Sequence, residues 1–243
     1  MNIKMKTLSL AVLGLASFAV AGSASAACVA GNLSAWSSTS ALGGALTVAT
    51  GGLEGSPSEC RLDASVTAGP GASAFVRDNT PANEARYRAQ YLLNIDALGA
   101  ITSIQTVNVF TATTETPANG ISQLVRMTVG ANVTGAIKLL NVITVNGTSV
   151  TSGTVALAAG ANRVEIDYVK GATGSLKVWV NNTVEGSPNL NLPVNNNAWG
   201  GVDFVALGLA AASPAYRAGT GNHANQIVQF DRFDSRRQTF IGG

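Results

Sequence analysis

The chain has 243 residues, with 15 Lys+Arg, 13 Asp+Glu and one His, and only 12% of its residues are charged, where an average soluble domain carries about 25%. Losing an N-terminal signal would remove Lys4 and Lys6 but no acid, which leaves the remainder formally neutral. A neutral chain offers no electrostatic case for a nucleic acid or an anionic membrane as partner.

The N-terminus reads as that signal. Lys4 and Lys6 open it, an apolar run extends from Leu8 to Val20, and Ala24-Ser25-Ala26 forms an A-x-A site that predicts cleavage before Ala27. The apolar run is shorter than the ~20 residues a membrane span needs. No later segment is longer, so no transmembrane span is expected in the mature chain. The expected division is a signal peptide at 1–26 and a single β-sandwich domain at 27–243, secreted or periplasmic. Cys28 and Cys60 are the only two cysteines, and in an oxidising compartment they are expected to form a disulfide. Such a bridge would pin an N-terminal strand that otherwise frays. The rival reading of Cys28 as a lipidated N-terminus lacks the leucine usual in that signal and would strand Cys60.

Strand follows strand beyond this point, with no convincing helix. In Ala85–Leu92, Tyr87, Ala89 and Tyr91 face one way and Arg86, Arg88 and Gln90 the other. Residues 163–169 alternate in the same manner, with Val164, Ile166 and Tyr168 opposite Glu165 and Asp167. Period two marks half-buried strands. Further β-rich runs lie near 45–49, 73–77, 104–112, 124–129, 137–145, 175–180, 202–209 and 227–233. Asn146-Gly147 and the 171–174 stretch mark reversals, and Asn181-Asn182 suits a two-residue hairpin because Asn tolerates positive φ. Residues 184–201, with two prolines and many asparagines, read as one long loop. Many short strands at regular spacing predict an all-β protein, one antiparallel β-sandwich or jelly roll.

Three stretches carry a family resemblance. Phe75-Val-Arg-Asp-Asn-Thr-Pro-Ala-Asn-Glu-Ala-Arg-Tyr-Arg resembles the V-x-D-x-(S/T)-P-x-x-E-x-R-Y-R run of bacterial secreted domains of the laminin-G-like and concanavalin A-like jelly-roll type. Arg163-Val-Glu-Ile-Asp-Tyr followed by Gly174-Ser-Leu-Lys-Val-Trp-Val resembles their paired strands, and the tail from Phe230 to Gly242 resembles their closing strand. The resemblance implies glycan or protein binding, sometimes with a structural calcium. Hard oxygen ligands for calcium would come from Glu54, from loop carbonyls around 52–56, and from Asp231 or Asp234; the plain alternative is a surface charge pair.

Secreted β-glucanases of this fold carry E-x-D-x-x-E on one strand, and Glu165-Ile-Asp167 resembles its first half. Retaining hydrolysis needs two carboxyl groups about 5–5.5 Å apart, but Lys170 stands in place of the second Glu, and Val169 occupies its position in the shorter motif. The expectation is therefore no enzyme. His223, the single histidine, has no G-x-S-x-G elbow to serve and no partners for zinc. Four N-x-(S/T) sequons are incidental in a bacterial-style chain.

For ligand binding, Arg86, Arg88, Glu165 and Asp167 supply hydrogen-bonding groups, Lys177 and Trp179 share a face of a third strand, and Trp199 is a second stacking candidate. The expected function is a secreted, non-catalytic β-sandwich module that binds a polysaccharide or a cell-surface protein. The alternatives are a structural or adhesive sandwich without small ligand, and a degenerate glycoside hydrolase.

Overall fold

The computed structural model describes residues 28–55, 59–66, 71–218, 226–236 and 238–242. The signal segment 1–26 and His223 fall outside them. In chain order the strands are β1 (Ser38–Ser40), β2 (Gly44–Thr50), β3 (Cys60–Val66), β4 (Ala74–Asp78), β5 (Arg86–Asn94), β6 (Val107–Ala118), β7 (Ile121–Ala131), β8 (Lys138–Asn146), β9 (Ser149–Ala156), β10 (Ala161–Val169), β11 (Gly174–Val180), β12 (Leu190–Val194), β13 (Phe204–Ala212) and β14 (Val228–Arg236). One helical turn, α1 (Pro214–Ala218), precedes β14.

The strands form two antiparallel sheets of seven, ordered β1-β4-β13-β6-β7-β8-β9 and β12-β11-β10-β5-β14-β3-β2. The fold is the expected β-sandwich. Period-two strands hide one face of each sheet, and the two hidden faces share one core. Tyr91 of β5 stacks on Phe110 of β6 at 5.6 Å, and its hydroxyl donates to Met127 Sδ on β7. Tyr87, Tyr91, Val164, Ile166, Tyr168, Leu176 and Val178 therefore point between the sheets. By alternation, Arg86, Arg88, Glu165, Asp167, Lys177 and Trp179 point outward.

Three details matter below. The disulfide between Cys28 and Cys60 is present, with Cα atoms 5.0 Å apart. At one border of the sandwich Leu190 and Leu192 of β12 lie against Gly153 of β9, so close that a Cβ there would sit 2.9 Å from a Leu190 methyl. The entry to β5 is fixed by a pair of backbone hydrogen bonds between Glu84 and Val202, at 2.9 and 3.0 Å.

The structure corrects two local expectations. Asn181 does take positive φ, but β11 ends there and the chain next forms a strand at Leu190, so no two-residue hairpin exists. Asn189 instead caps the Val180 amide at 2.8 Å and Asn182 holds the loop to Ser187. The supposed long loop also contains β12. Pro193 is tolerated there because β12 is an edge strand, where a missing N–H costs no ladder bond.

Candidate functional site

Register places the outward residues of three neighbouring strands in rows. Arg88 of β5 lies opposite Asp167 of β10, which lies opposite Lys177 of β11; Gln90, Glu165 and Trp179 form the next row. Paired residues in a sheet share a face, so the alternation seen in the sequence is sufficient to bring Arg86, Arg88, Glu165, Asp167 and Trp179 together.

The charges are tightly partnered. Arg86 grips Asp167 with two hydrogen bonds, Nε to Oδ1 at 2.9 Å and Nη2 to Oδ2 at 2.8 Å. Arg88 Nη2 donates to Asp167 Oδ2 at 2.9 Å and to Glu185 Oε1 at 2.8 Å, and its Nη1 lies 4.0 Å from Glu165. Burial alone would raise the Asp167 carboxyl pKa. The hydrogen bonds and charges of Arg86 and Arg88 outweigh it and hold that pKa below the ordinary value. The Arg86 guanidinium is raised in turn, chiefly by its hydrogen bonds to Asp167. Asp167 is thus a permanent anion at neutral pH, unsuited to protonate a leaving group.

Two features of this face have no signal in the local sequence. The connection after β11 folds back over it: Trp179 Nε1 donates to the Val184 carbonyl at 3.0 Å, and Glu185 reaches Arg88. The chain beyond β14 then crosses the face. Phe240 packs on Trp179 with ring centres 5.2 Å apart at 60°, and Glu165 accepts hydrogen bonds from the amides of Ile241 at 2.8 Å and Gly242 at 3.0 Å. Gln90 donates to Glu165 at 3.2 Å and to the Gly242 carbonyl. The Arg88 guanidinium sits 5.6 Å from the Phe240 ring and 5.8 Å from Trp179.

The indole of Trp179, a stacking candidate by sequence, is therefore covered in this structure. Trp179 is only 1% exposed, and the side chains of Arg88, Glu165 and Asp167 are 2–3% exposed. Among the described residues, Arg88 Nε and Nη1 have no hydrogen-bond partner although they are buried. Trp199 is not on this face. It lies in the core, donating to the Ile121 carbonyl at the start of β7.

The acids expected to hold calcium are engaged otherwise. Glu54 is bound by Arg163 at 2.9 Å and by Arg232. Asp231 accepts the amides of Leu53 at 2.8 Å and Arg232 at 2.7 Å, and Asp234 pairs with Arg236 at 2.9 Å. Arg232, at positive φ on a bulge of β14, turns back to bind Glu59 as well. Guanidinium groups already neutralise Glu54 and Asp234, and among the described residues no group of three or more His, Cys, Asp or Glu could hold a metal ion. The set does not fit the six to eight oxygen ligands calcium takes.

No protein-family model and no curated protein sequence matches the chain. Solved structures do. An endo-β-1,4-glucuronan lyase from the fungus Trichoderma reesei is similar at TM-score 0.63 and 14% identity, over 89% of this chain and 98% of that one. The cellulose-induced protein Cip1 is similar at TM-score 0.54 and 12% identity, over 84% and 89%. A carbohydrate esterase from Shiga toxin-encoding bacteriophage phi24B is similar at TM-score 0.54 and 14% identity, over 83% and 90%. At these identities the likeness establishes the fold.

Proposed function

We propose that this protein is an extracytoplasmic, non-catalytic module that binds a polysaccharide on the outer face of β5, β10 and β11. The observation that carries the reading is Arg88. A buried guanidinium with two nitrogens that lack a hydrogen-bond partner costs free energy, and it lies beside an indole on a face otherwise rich in carboxylate and amide groups. Fixed fork-shaped donors, carboxylate acceptors and an aromatic ring are what a sugar requires: hydroxyls to pair, and a C–H face to stack. The names of the three fold relatives tie them to glucuronan, cellulose and carbohydrate esters, which makes glycans the first ligand class to test.

An extracytoplasmic setting is supported by the signal-like start and by the Cys28–Cys60 disulfide, since disulfides persist in oxidising compartments. A hydrolase is less well supported. Asp167 is locked as an anion between two arginines, and no second carboxyl group follows at Lys170.

The test is a broad oligosaccharide array, neutral and uronate-containing, probed with the wild-type chain and with Phe240→Ala. Binding to at least one glycan is expected, weakened about tenfold in Trp179→Ala, which is what an aromatic stacking contact is worth. Silence of both proteins across the array ends the glycan reading.

A further inference from the structure

We infer that Gln238–Gly242 is a displaceable strap: an internal occupant that closes this face and opens independently of the rest of the fold. Its role as a competitor of ligand rests on the glycan reading above; its existence as a separately opening unit does not.

The attachment of the segment sets it apart from every strand. β14 ends at Arg236, and the strap is not part of either sheet. The hydrogen bonds that tie it to the face run to two side chains, Glu165 and Gln90. Its aromatic contact is Phe240 on Trp179. The asymmetry of burial is as telling. Gln238 and Thr239 are exposed and Phe240, Ile241 and Gly242 only partly buried, while the side chains beneath are almost wholly covered. Few contacts and solvent on one side define the segments that open first.

The chemistry of the contacts is that of a stand-in. Two adjacent N–H groups reach one carboxylate, one carbonyl meets the Gln90 amide, and one ring lies against the indole. Two neighbouring hydroxyls, a further sugar oxygen and the C–H face of a pyranose would meet the same three partners. The stand-in is also incomplete. It leaves Arg88 Nε and Nη1 without a hydrogen-bond acceptor in a buried position, so a ligand that supplies acceptors there gains what the strap lacks. A closed face that binds its own chain imperfectly is poised for exchange, and the apparent affinity for ligand falls by the fraction of time the face is closed.

Hydrogen exchange on the full chain tests the strap without any glycan. The amides of Ile241 and Gly242 are expected to exchange faster than those of β5 and β10, and faster still in Phe240→Ala, with β5 and β10 unaffected. Exchange of the strap amides only at the rate of the β5 and β10 amides would overturn the inference, because the segment would then open only with the whole fold. The oligosaccharide array tests competition. Phe240→Ala is expected to bind about tenfold tighter than wild type, the equivalent of one aromatic pair, or to show binding where wild type shows none. Equal or weaker binding by Phe240→Ala would overturn competition while leaving the glycan reading standing. Silence of both proteins would remove the glycan reading and competition together, and the strap would be judged on exchange alone.

Discussion

Asp167 is the residue on which the polar face turns. It accepts three hydrogen bonds from two arginines while almost wholly buried. Its pKa is held below the ordinary carboxyl value, so the folded state binds its proton less readily than the unfolded chain. The stabilisation is therefore fully present above the unfolded value of about 4 and is lost as pH falls through the lower folded value. Asp167→Asn should destabilise the protein at pH 7 by about 3 kcal/mol, since it removes the buried carboxylate shared by two guanidinium groups, of which Arg88 is itself buried. The gap between variant and wild type should close on acidification, read as urea midpoints from pH 7 to pH 2. Membership of this face was legible in the sequence because alternation fixes direction: Arg86, Arg88, Glu165, Asp167 and Trp179 all point where period two places them. Their burial was not legible. It depends on Glu185 and on the strap, and the contact between Glu165 and Ile241 spans 76 positions. No periodicity announces such a contact. Trp199 shows the converse, a tryptophan whose polar neighbourhood in sequence says nothing of its place in the core.

Elements carry a second set of constraints, in which loops fix where strands start. Gly201 sits beside the Glu84–Val202 bonds, and a Cβ there would fall 2.4 Å from the Asn83 carbonyl carbon and 2.5 Å from the Glu84 carbonyl oxygen. Backbone cannot yield as a side-chain tip can. Gly201→Ala should therefore cost about 1–3 kcal/mol, as overpacking does, measured as a lower urea midpoint. The substitution loosens the entry to β5, which presents Arg86 and Arg88. Strands whose residues alternate cleanly, such as β5 and β10, were readable within a residue or two. β3, β9 and β12 were not. β3 opens on Cys60-Arg61-Leu62-Asp63, β9 contains Gly153 and few large apolar residues, and β12 contains Pro193. These strands owe their form to partners in the sheet, and β-propensity depends on such context.

At the scale of the whole molecule, both sheets join strands far apart in the chain, such as β5 with β14 and β4 with β13, and the N-terminal region is held by a covalent tie. The disulfide joins positions 32 apart and fastens the chain ahead of β1 to the start of β3. On the chain-entropy model such a loop stabilises by about 3–4 kcal/mol. Replacing both cysteines by serine should lower the unfolding free energy by about that amount in non-reducing buffer. A reductant should bring the wild type down to the variant and leave the variant unchanged. Equal stability of the two proteins under oxidising conditions would contradict this account of the N-terminal region.

The seam where β12 leans on β9 bears on how the protein behaves in company. A sheet edge is a template for any passing strand, and β9 is eight residues long with little charge to repel one. Here that edge runs beside the edge of the opposite sheet. Leu190 and Leu192 press into the space left by Gly153, and a backbone bond from Gly147 to Asn195 ties the two sheets at the nearby turn. β2, the far edge of the second sheet, is met by the N-terminal segment, whose Gly31 amide donates to the Val48 carbonyl at 3.1 Å, and β1, the far edge of the first, is only three residues long. A chain this poor in charge has little electrostatic defence against polymerising with its own copies. The arrangement of its borders supplies a steric one, set against strand-to-strand pairing between copies.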